Sequence, residues 1–512
     1  MLFTTLPYAA FFLAVFVVHW LLPRPLRRPW LLVASYVFYI QTFPRYGLLI
    51  AAMTLGNYSF GLLLGRLHEA NSIKPLSIRR MGRGWGGAVS RRFILILAIT
   101  ANLATLAFFK YAALLLDGLW PVIRLAAHTP TEPALAIILP LGISFFTFEF
   151  IHYVVEVYRG QPPIRNLIDF ALFAAFFPTQ IAGPIKRFPD WVKQIHAPLR
   201  LREVQADVAL GLILRGVAKK IIIADLLSSM VAVGFARPDR LGFLATWFII
   251  YAFAVQIYAD FSGYTDIGRG CAMLLGYAVP ENFKSPYQAR NPSEFWERWH
   301  ISLSRWLRDY LFIPLGGSRV PRARIYVNLM ITMALGGLWH GASWHFMLWG
   351  VYQGALLVGY RLWAQAVAYV PRLQAALATR HGVLLGRVAT AHLVCLGWVL
   401  FRADTGPLAW TLITSALHPA RHNFTAGFPT LVPSMASLPV VVMVGALLVV
   451  LCGWLADWVR AGSPTWQTLE GRLALWQLRW APIARPALYL ALLLLIAIWP
   501  QGAAQRFIYF QF

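Results

Sequence analysis

The chain has 512 residues, of which 59% are hydrophobic and only 13% are charged. A soluble globular protein carries about 25% charged residues because its surface faces water, so the composition excludes that class and indicates an integral membrane protein. The 45 Lys and Arg exceed the 20 Asp and Glu, which gives a formal net charge of +25. In a membrane protein such an excess is typical of cytoplasmic loops that face anionic lipid headgroups, and we expect no nucleic-acid partner.

Apolar segments long enough to cross about 30 Å of hydrocarbon recur along the chain. The first runs from Leu6 to Leu22 with no small-residue cleavage site after it, so we expect a transmembrane helix and not a removed signal peptide. Further segments are predicted near 30–43, 47–65, 93–116, 134–155, 167–183, 207–234, 241–262, 328–339, 343–364, 383–401, 438–456 and 486–500. Some are short or interrupted by Gly or Pro, which is typical of re-entrant helices. The pattern predicts an all-α, polytopic fold with about eleven transmembrane helices plus re-entrant and interfacial helices.

No internal repeat or flexible linker divides the chain. We therefore expect one membrane-embedded domain over residues 1–512, with a core at about 134–402 and peripheral helices in 1–116 and 438–512. Basic residues are concentrated in two predicted loops, the turn with Arg24, Arg27 and Arg28 and the segment 66–92. Because cations are retained on the inner side during insertion, both loops are expected to be cytoplasmic and the N-terminus outside.

The segment 278–317 has a helical period from Pro292 onward, with Trp on one face and Arg on the other. This pattern predicts a helix lying in the headgroup plane, and an anchor without chemistry is the simpler interpretation of such a stretch. Asn291 and Glu294 have the three-residue spacing of a capping box. His300 lies at the edge of the apolar stripe.

His340 lies within the apolar segment 328–354, among tryptophans and glycines. Burial disfavours the imidazolium, so we expect a neutral ring that can accept a proton from a hydroxyl nucleophile. A buried histidine that bonds a carbonyl of a neighbouring helix is an equally good interpretation of the spacing alone. His345, five residues further, is taken as structural.

The remaining basic residues inside apolar segments have a plainer explanation. Arg215 and Lys219 share a helix face that could hold a phosphate-bearing donor, but we expect these side chains, like Lys186, to extend outward to the membrane surface. No cluster of His, Cys, Asp or Glu has the spacing of a metal site, and we expect no metal. Motifs of soluble hydrolases and nucleotide-binding enzymes are missing from the sequence.

Several stretches together resemble the membrane-bound O-acyltransferase family, in particular its bacterial branch of alginate O-acetylation and teichoic acid D-alanyl transfer proteins. They are SFFTFEFIHYVVEVYRG (144–160), FFPTQIAGPIKRF (176–188), YADFSGYTDIGRG (258–270), ENFKSPYQARNPSEFWERWHISLSRWLRDYLFIPLGG (281–317), NLMITMALGGLWHGASWHFMLWG (328–350), GWVLFRA (397–403) and the terminal FIYFQF. They follow the family order over most of the chain.

The resemblance implies a catalytic core over about 134–402, with His340 at the family's catalytic histidine and His300 at its second characteristic polar position. It implies transfer of an acyl group, here acetyl, from a cytoplasmic thioester such as acetyl-CoA to a hydroxyl, for O-acetylation of an extracellular or periplasmic polysaccharide such as alginate. It also implies a bacterial inner-membrane location, an exported or periplasmic acyltransferase partner and a polysaccharide biosynthesis complex. Whether His340 acts as a base or carries the acyl group itself stays open.

Basic residues near the predicted cytoplasmic side are candidates for binding the phosphates of coenzyme A; these are Lys284, Arg290, Arg298, Arg305 and Arg308. The same charges would also serve as anchors to lipid headgroups. Two alternatives remain, a D-alanyl or other acyl transfer from a carrier protein, and a non-catalytic transporter subunit for a polymer or solute. Glu156 and Gln353 depart from the family pattern, where Asp and a further His are common.

Overall fold

A computed structural model of the chain describes residues 3–42, 44–73, 85–127, 137, 139–140, 142–180, 183–419 and 438–460. Within these ranges the regular elements are helices, and there is no strand. The all-α architecture predicted from the sequence is therefore confirmed. The predicted span near 486–500, the terminal FIYFQF motif and the basic residues between 74 and 84 lie outside the described residues.

The described part of the chain forms the following helices. They are α1 (Leu6–Leu21), α2 (Arg24–Thr42), α3 (Gly47–Ile73), α4 (Trp85–Ala127), α5 (Ile143–Tyr158), α6 (Leu167–Ala175), α7 (Phe188–Ile195), α8 (Ala206–Ala218), α9 (Leu226–Ala236), α10 (Phe243–Leu274), α11 (Pro292–Arg298), α12 (Ile301–Leu307), α13 (Arg322–His340), α14 (Trp344–Ala368), α15 (Pro371–Ala378), α16 (Arg380–Arg402), α17 (Gly406–Leu417) and α18 (Leu438–Arg460). A π-helical turn, Lys219–Asp225, joins α8 to α9, and a second one, Arg308–Phe312, follows α12.

Five helical segments in the described part of the chain are long and apolar enough to cross a membrane. They are Pro44–Ala70, Ser90–Trp120, Phe243–Leu274, Arg380–Arg402 and Pro439–Ala456. Two shorter apolar helices, Leu6–Leu21 and Gly406–Leu417, accompany them. These segments support a multi-pass membrane protein, whereas the total of about eleven crossings stays a prediction.

The chain folds into two compact units. The first comprises Met1–Ala209 and Gly268–Pro280, and the second comprises Leu210–Ile267 and Glu281–Phe512. The expected single domain with its core at about 134–402 stays a prediction.

In the first unit, α3 packs against both α4 and α5. The amides of Asn57 and Asn102 donate hydrogen bonds to each other between α3 and α4, at 3.1 and 2.7 Å. Gly61 allows α3 to approach α5, because a Cβ at this position would lie 2.2 Å from the hydroxyl of Tyr153. Hydrogen-bonded amides and small residues are the usual means of joining helices within a membrane.

Lys186 corrects one expectation from the sequence. Its ammonium does not extend outward but lies buried, 3% exposed, where it donates to both carboxylate oxygens of Glu149 at 2.8 and 3.0 Å and to the hydroxyl of Thr179 at 2.8 Å. A buried ammonium requires such partners because it has lost its hydration. The sequence alone did not pair residues that are 37 positions apart.

In the second unit, the long helix formed by α8, the π-helical turn and α9 packs against α10. Glycines at both sides make this approach possible, since a Cβ at Gly216 would lie 2.5 Å from the carbonyl oxygen of Gly263. Arg215 and Lys219 donate to the carboxylate of Asp266, at 3.0 and 2.8 Å. Lys219, only 21% exposed, does not extend outward as predicted, because the Asp266 carboxylate of α10 lies within reach, whereas the side chain of Arg215 stays 56% exposed.

Lys220 forms a second group of charges beside the first. Its ammonium lies 2.7 Å from a carboxylate oxygen of Asp225 and 2.9 Å from one of Asp260, and its side chain is 2% exposed. The π-helical turn that contains Lys220 and Asp225 adds a residue to the helix, a feature that is frequent at functional sites. The ammonium of Lys220 thus links the π-helical turn to α10 through buried ion pairs.

Candidate active site

His340 is the last residue of α13, at the closed end of a tight helical hairpin. Helices α13 and α14 are antiparallel and joined by three residues, and glycines bring their backbones together. A Cβ at Gly337 would lie 2.2 Å from the carbonyl oxygen of Phe346, and a Cβ at Gly350 would lie 2.2 Å from that of Met333. The hairpin therefore holds His340 by backbone packing, and the side chain is 5% exposed.

Aromatic side chains from three helices surround the imidazole of His340. The ring centroids of Trp339, Trp349 and Phe401 lie 5.0, 5.2 and 5.4 Å from that of His340, with interplanar angles of 77°, 86° and 74°. Edge-on contacts of this kind are favourable and fix the orientation of a ring. Packing of α13, α14 and α16 thus sets the direction in which the ring nitrogens point.

His300 lies between α11 and α12 and corrects the prediction of one interfacial helix from Pro292 onward. Its backbone has a φ of +42° and a ψ of +54°, a left-handed conformation that ends α11 and lets α12 begin in a new direction. A non-glycine residue in this region carries strain that packing must offset. The tryptophan stripe is also buried, with Trp299 1% exposed and Trp306 8% exposed, so its partner is protein and not headgroups.

The N-cap predicted at the start of α11 is confirmed, whereas the reciprocal bond to the Glu294 carboxylate comes from the residue before the cap. The side chain of Asn291 accepts from the backbone N–H of Glu294 at 2.9 Å, and the Glu294 carboxylate accepts from the N–H of Arg290 at 2.8 Å. The irregular segment that follows α10 is also tied to this region, because the N–H of Ile301 donates to the carbonyl of Asn282. Local capping and this long-range bond together fix the strained backbone of His300.

The two candidate histidines contact the same tryptophan. The ring of Trp339 is 6.1 Å from that of His300 and 5.0 Å from that of His340. On its other side His300 makes an edge-on contact with Phe261 of α10, at 4.7 Å. The structure thus brings together two residues that are 40 positions apart in the sequence.

Burial lowers the pKa of His300 to about 3. The side chain is 0% exposed, and within the part of the chain that the structure describes neither ring nitrogen bonds another residue. A neutral imidazole has one N–H donor and one acceptor nitrogen. The ring therefore has both a donor and an acceptor ready for a ligand.

Three further tryptophans line the same region. Among the described residues, the indole nitrogens of Trp296 and Trp349 are buried and have no acceptor, whereas the indole of Trp398 interacts with the hydroxyl of Tyr287. The rings of Trp349 and Trp398 stack at 5.6 Å, and Trp296 lies 5.9 Å from Trp349. No pattern in the sequence predicted a role for these tryptophans. Two of them lie in stretches that resemble the family, Trp349 in FMLWG and Trp398 in GWVLFRA.

The basic candidates for phosphate binding have different surroundings. Lys284 and Arg305 are exposed. Arg298 donates to Glu294 at 2.7 Å and to the carbonyl of Lys284 at 3.2 Å, and Arg308 is paired with Asp309 at 2.7 Å. Although burial favours the neutral carboxyl of Glu294, hydrogen bonds from Arg290 and Arg298 outweigh it and hold its pKa below the usual value. Their role in donor binding stays a prediction.

The described residues contain no group of three His, Cys, Asp or Glu side chains that could hold a metal ion. His345 lies outside the aromatic cage of His340, where its Nδ1 is 2.8 Å from the hydroxyl of Ser343.

The fold and the site define a multi-pass membrane protein with two buried histidines around one tryptophan. A sequence profile of the MBOAT, membrane-bound O-acyltransferase family, matches residues 90–378. The chain is similar to the probable alginate O-acetylase AlgI of Azotobacter vinelandii, with 39% identity over 80% of this chain and 77% of the relative. It is 33% identical to the peptidoglycan O-acetyltransferase of Helicobacter pylori over 77% of this chain and 74% of that relative. The teichoic acid D-alanyltransferase of Bacillus subtilis is 29% identical over 56% of this chain and 74% of its own.

The chain therefore belongs to the membrane-bound O-acyltransferase family. This confirms the family to which the sequence motifs pointed. It also makes the protein an enzyme of the O-acyltransferase class, which disfavours the alternative of a non-catalytic transporter subunit.

Proposed function

We infer that the protein transfers an acetyl group from a cytoplasmic thioester to a hydroxyl and so serves the O-acetylation of an extracellular or periplasmic polysaccharide. The observation that carries this proposal is the caged, buried His340 at the end of the α13–α14 hairpin. The alginate O-acetylases and the peptidoglycan O-acetyltransferase among the relatives support a polysaccharide as the final acceptor. In this proposal the protein lies in a bacterial inner membrane.

The chemistry requires little beyond positioning and one proton transfer. His340 takes the proton of the attacking hydroxyl while the hydroxyl oxygen forms a bond to the thioester carbonyl carbon. The tetrahedral intermediate then breaks its C–S bond, the ester is released, and the thiolate takes the proton back. Since a thioester is already activated, correct placement of the two reactants supplies much of the rate.

His300 has the protonation state for a second role. A neutral imidazole, held neutral by burial, donates one N–H without adding charge to the site. We place this donor on the thioester carbonyl, where it stabilises the negative charge that develops on the oxygen. Its position against Trp339, the neighbour of His340, supports the assignment.

The acyl donor in this proposal is acetyl-CoA, with Lys284, Arg298, Arg305 and Arg308 as the residues that attract its phosphates. Arg305 and Lys284 are exposed, which supports access from solvent. The second candidate is acyl transfer from a carrier protein, which the similarity to the teichoic acid D-alanyltransferase of Bacillus subtilis favours. An exported acyltransferase partner, within a polysaccharide biosynthesis complex, would pass the group to the polymer.

The test is acyl transfer in proteoliposomes with radiolabelled acetyl-CoA or acetylated carrier protein and a soluble oligosaccharide acceptor. Where a partner acyltransferase is encoded next to the gene, it is added to the outer side. The proposal expects labelled ester from the wild type and none from His340→Ala of equal folding. Absence of transfer from every thioester by a folded wild type would overturn the proposed function.

A further inference from the structure

Gln353 is a buried amide whose hydrogen-bonding groups are unused. Its side chain is 1% exposed, and neither Oε1 nor Nε2 has a partner within the described ranges. It lies on α14 one turn beyond Trp349, about 6 Å further along the axis and on the same helix face. Trp349 is the residue whose indole contacts His340.

Gly397 of α16 leaves room for the amide of Gln353 because it has no side chain. A Cβ at Gly397 would lie 2.8 Å from the Nε2 of Gln353. The next residue on α16 is Trp398, which stacks on Trp349. Gln353 therefore belongs to the same cluster of packed side chains as the indoles of Trp349 and Trp398.

A buried amide without hydrogen-bond partners destabilises the folded protein. A buried polar atom without a partner has lost its hydrogen bonds to water, and an apolar residue of similar shape would avoid this cost. A ligand with an N–H would satisfy Oε1, which is an acceptor only. A secondary amide supplies such an N–H; because its N–H and C=O point in opposite directions in the trans form, it pairs with Gln353 through one hydrogen bond, from its N–H to Oε1.

We propose that Gln353 binds the first amide of the acyl donor, which lies two methylene groups from the thioester sulfur. Both coenzyme A and carrier proteins present the acyl group on this same phosphopantetheine arm, so the chemistry is shared by the two candidate donors. The stacked indoles of Trp349 and Trp398 contact the thin aliphatic part of the arm, and Gln353 fixes its depth relative to His340. Gln353 is thus a positioning residue for the donor, and the proposal rests on the proposed acyl transfer.

The experiment compares two donors that differ in one atom. Acetyl-CoA is used with its natural amide or with an ester in place of the amide nearest to the sulfur, and the same pair is loaded onto a carrier protein. The thioester is unchanged, so both donors have the same intrinsic reactivity. We expect the wild type to use the amide donor with at least about tenfold higher kcat/KM, as the loss of one paired N–H predicts.

Gln353→Met removes both amide atoms at nearly constant volume. We expect the preference to fall to within about twofold, mainly through a higher KM for the amide donor, with a smaller change for the ester donor, whose bridging oxygen has no hydrogen to donate to Oε1. Gln365→Met is the matched control, since Gln365 lies on the same helix but donates to the hydroxyl of Tyr326 at 2.9 Å. Gly397→Ala provides a second route, because its Cβ displaces the amide of Gln353.

The outcomes separate the two claims. Equal use of the amide and ester donors by the wild type, or a preference that survives Gln353→Met, would overturn the role of Gln353 and leave the acyl transfer standing. Absence of transfer from all four donors would overturn the proposed function itself. Comparison of the two CoA donors with the two carrier-protein donors shows which kind of donor delivers the phosphopantetheine arm to the site.

Discussion

The imidazole of His340 meets the indole of Trp349 edge-on, with ring centroids 5.2 Å apart and an interplanar angle of 86°. The two residues lie on opposite arms of the α13–α14 hairpin. The contact therefore helps to fix the orientation of the imidazole by packing.

Replacement of Trp349 by Leu removes this contact while keeping the position apolar. We expect kcat to fall about 100-fold, since a reacting group displaced by about 1 Å loses a large part of its positioning. The KM for the donor should change less than kcat. Trp363→Leu on the same helix is the control, because Trp363 is 52% exposed and its loss should leave transfer near the wild-type rate.

Gly350→Ala tests the close packing of the hairpin. The new Cβ would lie 2.2 Å from the carbonyl oxygen of Met333, so the helices must separate. Overpacking of this kind costs about 1–3 kcal/mol, and here it also moves His340. We expect a lower melting temperature in detergent together with loss of transfer. Gly359→Ala is the matched control, since no atom lies within 4 Å of its Cβ; equal behaviour of the two variants would contradict the packing argument.

Lys220→Met tests the buried charges between the π-helical turn and α10. The variant leaves the carboxylates of Asp225 and Asp260 without their shared ammonium, and removal of one partner of a buried ion pair costs about 3–5 kcal/mol. Lys219→Met provides the comparison, because Asp266 keeps its bond to Arg215. We expect thermal unfolding in detergent to show a clearly larger loss for Lys220→Met, and similar losses would refute the assignment.

The pH dependence of stability tests the environment of His300. In the unfolded chain its imidazole takes up a proton as the pH falls through about 6.5, whereas the folded chain binds it only near its lowered pKa of about 3. The unfolded state therefore binds more protons below pH 6.5, and stability falls there. Between pH 8 and pH 5 the wild type should lose about 2 kcal/mol more unfolding free energy than His300→Asn.

His300→Asn suits this comparison because Asn tolerates the left-handed backbone at this position. The measurement is chemical unfolding in mixed micelles at both pH values. Identical pH dependence of the two proteins would show that His300 has an ordinary environment in the folded state.

Features that depend on neighbours in sequence were predictable. Hydropathy indicated the all-α membrane fold, the Asn291 N-cap was predictable from its spacing to Glu294, and the break between His340 and Trp344 agreed with the predicted boundary of two segments. These follow from local propensities and periods, which act within a few residues.

Features that depend on distant residues were not predictable. The periodicity of 292–310 continued smoothly through His300, yet contacts with Phe261 and Trp339 stabilise a left-handed residue that ends the helix there. Lys186 and Lys219 looked like surface anchors because the carboxylates that bind them lie 37 and 47 residues away. Likewise, the unused amide of Gln353 becomes visible only when its neighbours on α16 are known.

The most direct test of His340 as the catalytic base is a comparison of two adjacent histidines. His340→Gln and His345→Gln are each reconstituted in proteoliposomes, and single-turnover transfer of labelled acetyl from a thioester to a hydroxyl acceptor is measured. We predict that His340→Gln loses at least about 1,000-fold in rate, within the range for general base catalysis, while His345→Gln retains transfer close to the wild-type rate. Transfer by folded His340→Gln at the wild-type rate would contradict the account.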